Sequence, residues 1–180
     1  MKRILLVLAA AIVLFLGYAA TRPDTFHVER SASIAAPPAA IYAHVVDFRR
    51  WQAWSPWEKL DPAMKRELGG PESGVGATYA WEGNSDVGKG KMTITAAEPP
   101  SKLAVRLEFL EPFASTSVAT FALAPEGEGT RVTWSMDGDQ NFLAKVMCIF
   151  MDMDKLIGGD FEKGLASLKQ VSEAAPASHS

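Results

Sequence analysis

One cysteine, Cys148, and three histidines, His27, His44 and His179, make up the thiol and imidazole content of the 180-residue chain. A single thiol excludes an intrachain disulfide. The histidines lie far apart and without metal-ligand spacing, so neither a metal nor a cofactor is expected. Cys148 stands among Val146, Met147, Ile149 and Phe150, the setting of a small buried hydrophobe, with nothing nearby to activate it as a nucleophile. A basic balance is also missing. The 18 Lys and Arg against 21 Asp and Glu give a net charge of -3, which offers no electrostatic footprint for nucleic acid. Glycine is present, in Gly69 to Gly76 and in Gly88-Lys89-Gly90, but a phosphate cradle needs a following helix N-terminus, and both stretches lead into strands. Asp152 and Asp154 are two apart on a helical segment and do not share a face. Asp137 to Asn141 reads as a turn and helix cap, short of the oxygen ligands of a calcium loop.

What is present suits one packed globular domain with appendages: 48% of residues are hydrophobic and 22% charged. Lys2 and Arg3 precede an uninterrupted apolar run from Ile4 to Ala20. A positive start followed by a hydrophobic stretch is the pattern of a secretory signal or an N-terminal anchor. The run is at the short end of what spans a bilayer, and Gly17-Tyr18-Ala19 offers small residues suited to a signal peptidase. The positive residues stay cytoplasmic. The expected organisation is a signal anchor or signal peptide over 1–20, a linker over 21–25, a folded domain over 26–173 and a disordered tail over 174–180.

Within the domain, Phe26 to Ile34 alternates as a half-buried strand, with Arg30 as the exception. Pro37-Pro38 opens a helix from about Ala39 to Phe48. Strands are expected near Met64 to Leu68, Ala77 to Glu82, Gly88 to Glu98, Leu103 to Phe109, Ser115 to Ala124 and Thr130 to Asp137, each closed by Gly, Pro or Asn turn signals. The period then changes. Phe142, Val146, Ile149, Phe150, Met153, Phe161, Leu165 and Leu168 recur at helical spacing, with Gly158-Gly159 as an interruption and Asp160 as a candidate cap for a second half. The fold class is therefore α+β: a curved antiparallel meander wrapped around a long C-terminal helix.

The densest feature is Trp51-Gln52-Ala53-Trp54-Ser55-Pro56-Trp57. Pro56 ends any preceding helix and biases Ser55 toward an extended backbone, which makes this an aromatic loop. Indoles so crowded either plug a core or line a hydrophobic pocket. The chain resembles the START-like or Bet v 1-like (SRPBCC) superfamily, and within it the bacterial polyketide cyclase/dehydrase-like group, over roughly Phe26 to Val171. The residues that carry the resemblance are Ile34-Ala35-Ala36-Pro37, the tryptophan loop, Gly74-Val75-Gly76-Ala77, Tyr79-x-Trp81-x-Gly83-Asn84 and Gly88-x-Gly90-x-Met92. Gly129-Thr130-x-Val132-x-Trp134 and Phe161-Glu162-x-Gly164-Leu165 complete it. The resemblance implies a helix-grip fold with a cavity between sheet and C-terminal helix. Its members include lipid carriers, ligand sensors, cyclases and proteins without known activity.

The expected function is binding of a hydrophobic or amphipathic small molecule, lipid or isoprenoid-like, with Trp51, Trp54, Trp57, Trp81, Leu107, Trp134, Met147, Phe150 and Met153 as ligand-binding candidates. Its expected place is the cell membrane, with the domain on the extracytoplasmic, periplasmic side, or the periplasm itself after cleavage. Two alternatives stand beside it. A cyclase or dehydratase would need an inward polar group, for which Tyr79, Glu82, His44 and Asp137 are candidates. An interaction module would have a filled core and no ligand.

Overall fold

A computed structural model describes residues 1–111 and 114–174. Helix α1 (Lys2–Ala20) precedes strand β1 (Thr25–Ile34) and helix α2 (Pro38–Val45), which Pro38 starts at its first position. The tryptophan segment forms two 3-10 turns, Phe48–Ala53 and Pro56–Lys59, hinged at an extended Ser55. The meander follows as β2 (Lys65–Gly69), β3 (Thr78–Glu82), β4 (Lys89–Glu98), β5 (Lys102–Glu111), β6 (Ser115–Glu126) and β7 (Gly129–Asp139), then helices α3 (Phe142–Phe150) and α4 (Met153–Ala174). The strands form a seven-stranded antiparallel sheet in the order β1-β7-β6-β5-β4-β3-β2. Register shifts in β4, between Lys89 and Gly90 and between Ile94 and Ala96, add to the curvature.

Period-2 patterning gives the sheet one buried face. Leu103, Val105 and Leu107 of β5, Ala119, Phe121 and Leu123 of β6, and Val132, Trp134 and Met136 of β7 are all buried. Helix α4 lays Phe161, Gly164, Leu165 and Leu168 against that face, a stripe at helical spacing. Full burial of Phe161, Leu165 and Leu168 contributes about 1.5–3 kcal/mol each. Gly164 permits the close approach: a Cβ there would sit 2.7 Å from Cζ3 of Trp134.

Arg30, the residue that broke the alternation of β1, clamps that strand to α4. Its guanidinium lies over Gly158 and bonds Asp154 at 2.9 Å and Glu162 at 2.8 Å, one turn to either side. This explains why helix continues through Gly158-Gly159, where the sequence suggested an interruption. The break lies earlier. Met151 is extended (φ -124°, ψ 123°), and the Asp152 carboxylate accepts from the Lys155 backbone N–H at 3.1 Å, capping α4. Asp160 is an interior helix residue paired with Lys163, not a cap. Of the tail expected over 174–180, Ala174 ends α4 and the remainder lies outside the described residues.

Helix α1 is apolar throughout, with a mean hydropathy of 2.3 over its most apolar window, and is the one helix among the described residues long and apolar enough to cross a membrane. Only Ala19 of it is buried.

Candidate functional site

The sheet does not close tightly on the helices. A cavity of about 610 Å³ lies between them. Inward residues of the strands form one wall: Tyr79 and Trp81 of β3, Met92 of β4, Leu107 and Phe109 of β5, Ala119 of β6, Trp134 and Met136 of β7. Trp51, Trp57 and Glu58 come from the 3-10 turns, Ala144 and Cys148 from α3, and Met153, Leu156 and Ile157 from α4. Volume and apolar lining are those of a small-molecule pocket.

An aromatic stack shapes its floor. Trp134 lies between Phe121 (centroids 4.7 Å apart) and Phe161 (4.2 Å, planes within 7°), with Trp54 and Trp57 edge-on at 5.6 Å. These offset and T-shaped geometries are the favoured ones for aromatic pairs. Gly90 belongs to the same construction, since a Cβ there would collide with the Trp81 indole and the Glu108 carbonyl. Three indole N–H groups are satisfied by backbone: Trp51 by Val45 at 3.0 Å, Trp54 by His44 at 3.2 Å and Trp81 by Val87 at 2.9 Å. Trp134 Nε1 is buried with no partner among the described residues.

Asp86, Asp139, Gln140 and Asp160 are polar members of the lining, and a further polar station is built around Glu58. Glu58, its side chain 7% exposed, accepts from Arg66 Nε at 2.7 Å through one oxygen and from the Tyr79 hydroxyl through the other. Arg66 also donates to the Met64 carbonyl at 2.7 Å. Burial first, and the bond to Glu58 second, push the Tyr79 phenol well above its ordinary range. The hydrogen bond to Glu58 raises the Arg66 guanidinium further. The set is thus a carboxylate with both oxygens engaged, a fixed cation and a neutral phenol at the cavity wall.

Of the residues singled out in the sequence, Trp51, Trp57, Trp81, Leu107, Trp134 and Met153 line the cavity. Trp54 does not, being fully enclosed behind Trp51 and Trp134. Met147 and Phe150, 37% and 75% exposed, face away from it, because the break at Met151 turns α3 so that Ala144 and Cys148 point inward instead. Of the polar candidates for catalysis, Tyr79 is at the cavity. Glu82 is exposed and paired with Lys89, and Asp137 is exposed and bonded to His27 at 2.7 Å. His44 lies in α2 with Nδ1 buried and without a partner among the described residues, and burial lowers its pKa. Glu58 was missed. The sequence signal for it was its place directly after the Ser55-Pro56-Trp57 run.

The architecture is that of the helix-grip, Bet v 1-like class. Residues 25–173 match the family described as polyketide cyclase/dehydrase and lipid transport, and the chain belongs to that family. A comparison with curated proteins found no match. Among solved structures, a Chromobacterium violaceum protein is similar with a TM-score of 0.60 at 15% identity, over 86% of this chain and 100% of that one. The Aha1 dimer from Colwellia psychrerythraea gives 0.59 at 17%, over 84% and 99%. The di-domain ARO/CYC protein BexL of the BE-7585A biosynthetic pathway gives 0.61 at 15%, over 88% of this chain and 54% of that one. At these identities the likeness establishes the fold.

Proposed function

We propose that this chain is a membrane-tethered binding protein whose domain, over residues 26–173, holds an apolar or amphipathic small molecule, lipid or isoprenoid-like, on the extracytoplasmic side. The observation that carries the reading is the cavity of about 610 Å³, apolar over most of its wall and polar at few points. Glu58 and Tyr79 supply one polar station, and Asp86, Asp139, Gln140 and Asp160 bring further polar groups to the lining, which suits an amphipathic ligand. Both Glu58 oxygens are engaged and Tyr79 is held neutral, so the pair favours orienting a bound group over transferring a proton. The tether is α1, with Lys2 and Arg3 on the cytoplasmic side.

A ligand that binds only the folded state stabilises it by about 2.7 kcal/mol at a hundredfold excess over its dissociation constant. For a domain of this size that raises the melting temperature by roughly 5–11 °C. The test is native mass spectrometry of protein purified from its membrane, followed by thermal unfolding with the lipids recovered and with single-chain isoprenoids. A co-purifying amphiphile that raises the melting temperature is expected. A protein that carries none, and that no lipid or isoprenoid stabilises, overturns the reading in favour of an interaction module. Conversion of the bound molecule on incubation would point to the cyclase or dehydratase instead. A reporter fused after Ser180 should be active only outside the cytoplasm.

A further inference from the structure

Helix α3 has two unlike sides. Ala144 and Cys148, four residues apart, line the cavity. Leu143, Met147 and Phe150 form a second stripe at helical spacing, flanked by Phe142 and Met151, and all five are exposed. The charged residue of α3, Lys145, is buried and gives the outer stripe no charge, because its ammonium pairs with Asp24. An apolar patch of this kind on a soluble surface marks an interaction site.

The covering phase is indicated by what α3 is fastened to. At its start, Lys145 pairs with Asp24 of the linker, and the Gln140 N–H bonds the Asp24 carbonyl at 2.7 Å. At its end, the Phe150 ring lies 5.7 Å from that of Phe15 in α1. So α3 runs back along the last part of α1, from the linker toward the apolar helix. At 1.5 Å per residue the 19 residues of α1 are about 28 Å long, close to the roughly 30 Å of a hydrocarbon core. Phe15 is five residues from the end of that helix, so with α1 spanning the core along its normal it, and Phe150 beside it, would lie about 7.5 Å below the outer boundary. Interfacial helices bury their apolar faces to a depth of roughly 5–10 Å.

We infer that the outer face of α3, Leu143, Met147 and Phe150, is a bilayer-contact surface seated in the outer leaflet beside α1. The inference rests on the reading of α1 as a membrane span. With its outer side in lipid and its inner side on the cavity, α3 is a wall one helix thick between the bilayer and the binding space. A ligand drawn from the outer leaflet reaches that space beside α3 without crossing bulk water.

The test uses the full chain in vesicles of phosphatidylethanolamine and phosphatidylglycerol, with Cys148→Ser removing the native thiol. An environment-sensitive fluorophore is placed in turn at Phe15→Cys, Leu143→Cys, Phe150→Cys and Glu128→Cys. Glu128 lies in the β6–β7 turn, at the far end of β7 from Asp139, which pairs with Thr25 beside the linker. Quenching is then measured with a lipid carrying a spin label just below its headgroup. The label at 150 should be quenched at least half as strongly as that at 15. The label at 143, tied near the linker, should be quenched less, and that at 128 not at all. Phe150 and Leu143 are both exposed, so the substitutions leave the fold intact, and either position reports alone. A label at 150 quenched no more than at 128, while 15 is quenched, overturns the inference and leaves the anchor standing. Blue-shifted emission at 150 without lipid quenching means that protein, such as a second copy, covers the face, and also overturns it. Absence of quenching at 15 removes the membrane span and the inference together.

Discussion

Two glycines of α4 should respond in opposite directions to the same substitution. Gly159 has open space where its Cβ would go, with nothing within 4 Å. Gly159→Ala therefore gains the usual helix preference for alanine, about 0.8–1 kcal/mol. At Gly164 the new methyl would lie 2.7 Å from Trp134 Cζ3 and 3.1 Å from Pro56 Cδ. Carbon atoms settle at about 3.5–4.0 Å, so either the ring or the helix must move by nearly an ångström. The ring is held between Phe121 and Phe161, stacked at 4.7 and 4.2 Å, and Pro56 is rigid. Overpacking of a filled site costs about 1–3 kcal/mol, and the clamped ring places this case toward the upper end. Set against the same helix gain, Gly164→Ala should lose about 2 kcal/mol net. At roughly 2–4 °C per kcal/mol, Gly159→Ala should melt about 2–4 °C above the parent and Gly164→Ala about 4–8 °C below it. Circular dichroism of each protein on heating, in one detergent and at one concentration, reads the difference. If Gly164→Ala proves as stabilising as Gly159→Ala, α4 does not rest on Trp134, and the aromatic stack is not the floor of the cavity.

A second contrast separates α3 from α4. Phe161→Ala, fully buried, should cost about 3–5 kcal/mol, whereas Phe150→Ala, 75% exposed, should stay within about 0.5 kcal/mol in urea unfolding of the detergent-solubilised protein; equal losses would contradict the placement of α3. Alkaline titration probes the polar station. Tyr79 has a folded pKa raised above the unfolded value of about 10, so its contribution is complete below pH 10 and is lost progressively as the pH rises beyond it. Tyr79→Phe should flatten part of that alkaline decline, leaving the share of Tyr42, which burial also raises; an unchanged decline would show that Tyr79 is not enclosed.

Strands were the most legible part of this chain. Alternation in Leu103 to Phe109 and in Thr130 to Asp137 states both the element and its inward side, because the side-chain period of a strand leaves no third choice. The turn residues bracket each strand to within about two positions of its observed ends. The helical end was harder to read. Its apolar spacing runs on through Met151 and Asp152, and only the cap made by Asp152 and the clamp from Arg30 decide that the helix breaks there and not at Gly158-Gly159. That shift of the break puts Met147 and Phe150 on the outer side. Glu58 was illegible for a related reason. A carboxylate in a short turn reads as solvated, and its burial depends on Arg66 and Tyr79, which reach it from β2 and β3.

The crowding of indoles has an optical consequence. Four of the five tryptophans, Trp51, Trp57, Trp81 and Trp134, border the cavity, while Trp54 is sealed off from it. Their ultraviolet emission follows the polarity of whatever lies beside them, so an unlabelled protein carries its own gauge of cavity contents. Exchange of water for an acyl or isoprenoid chain would shift that emission to shorter wavelength, with Trp54 as a constant background. Any occupancy of the cavity by an apolar molecule could thus be followed in a cuvette with no chemical modification.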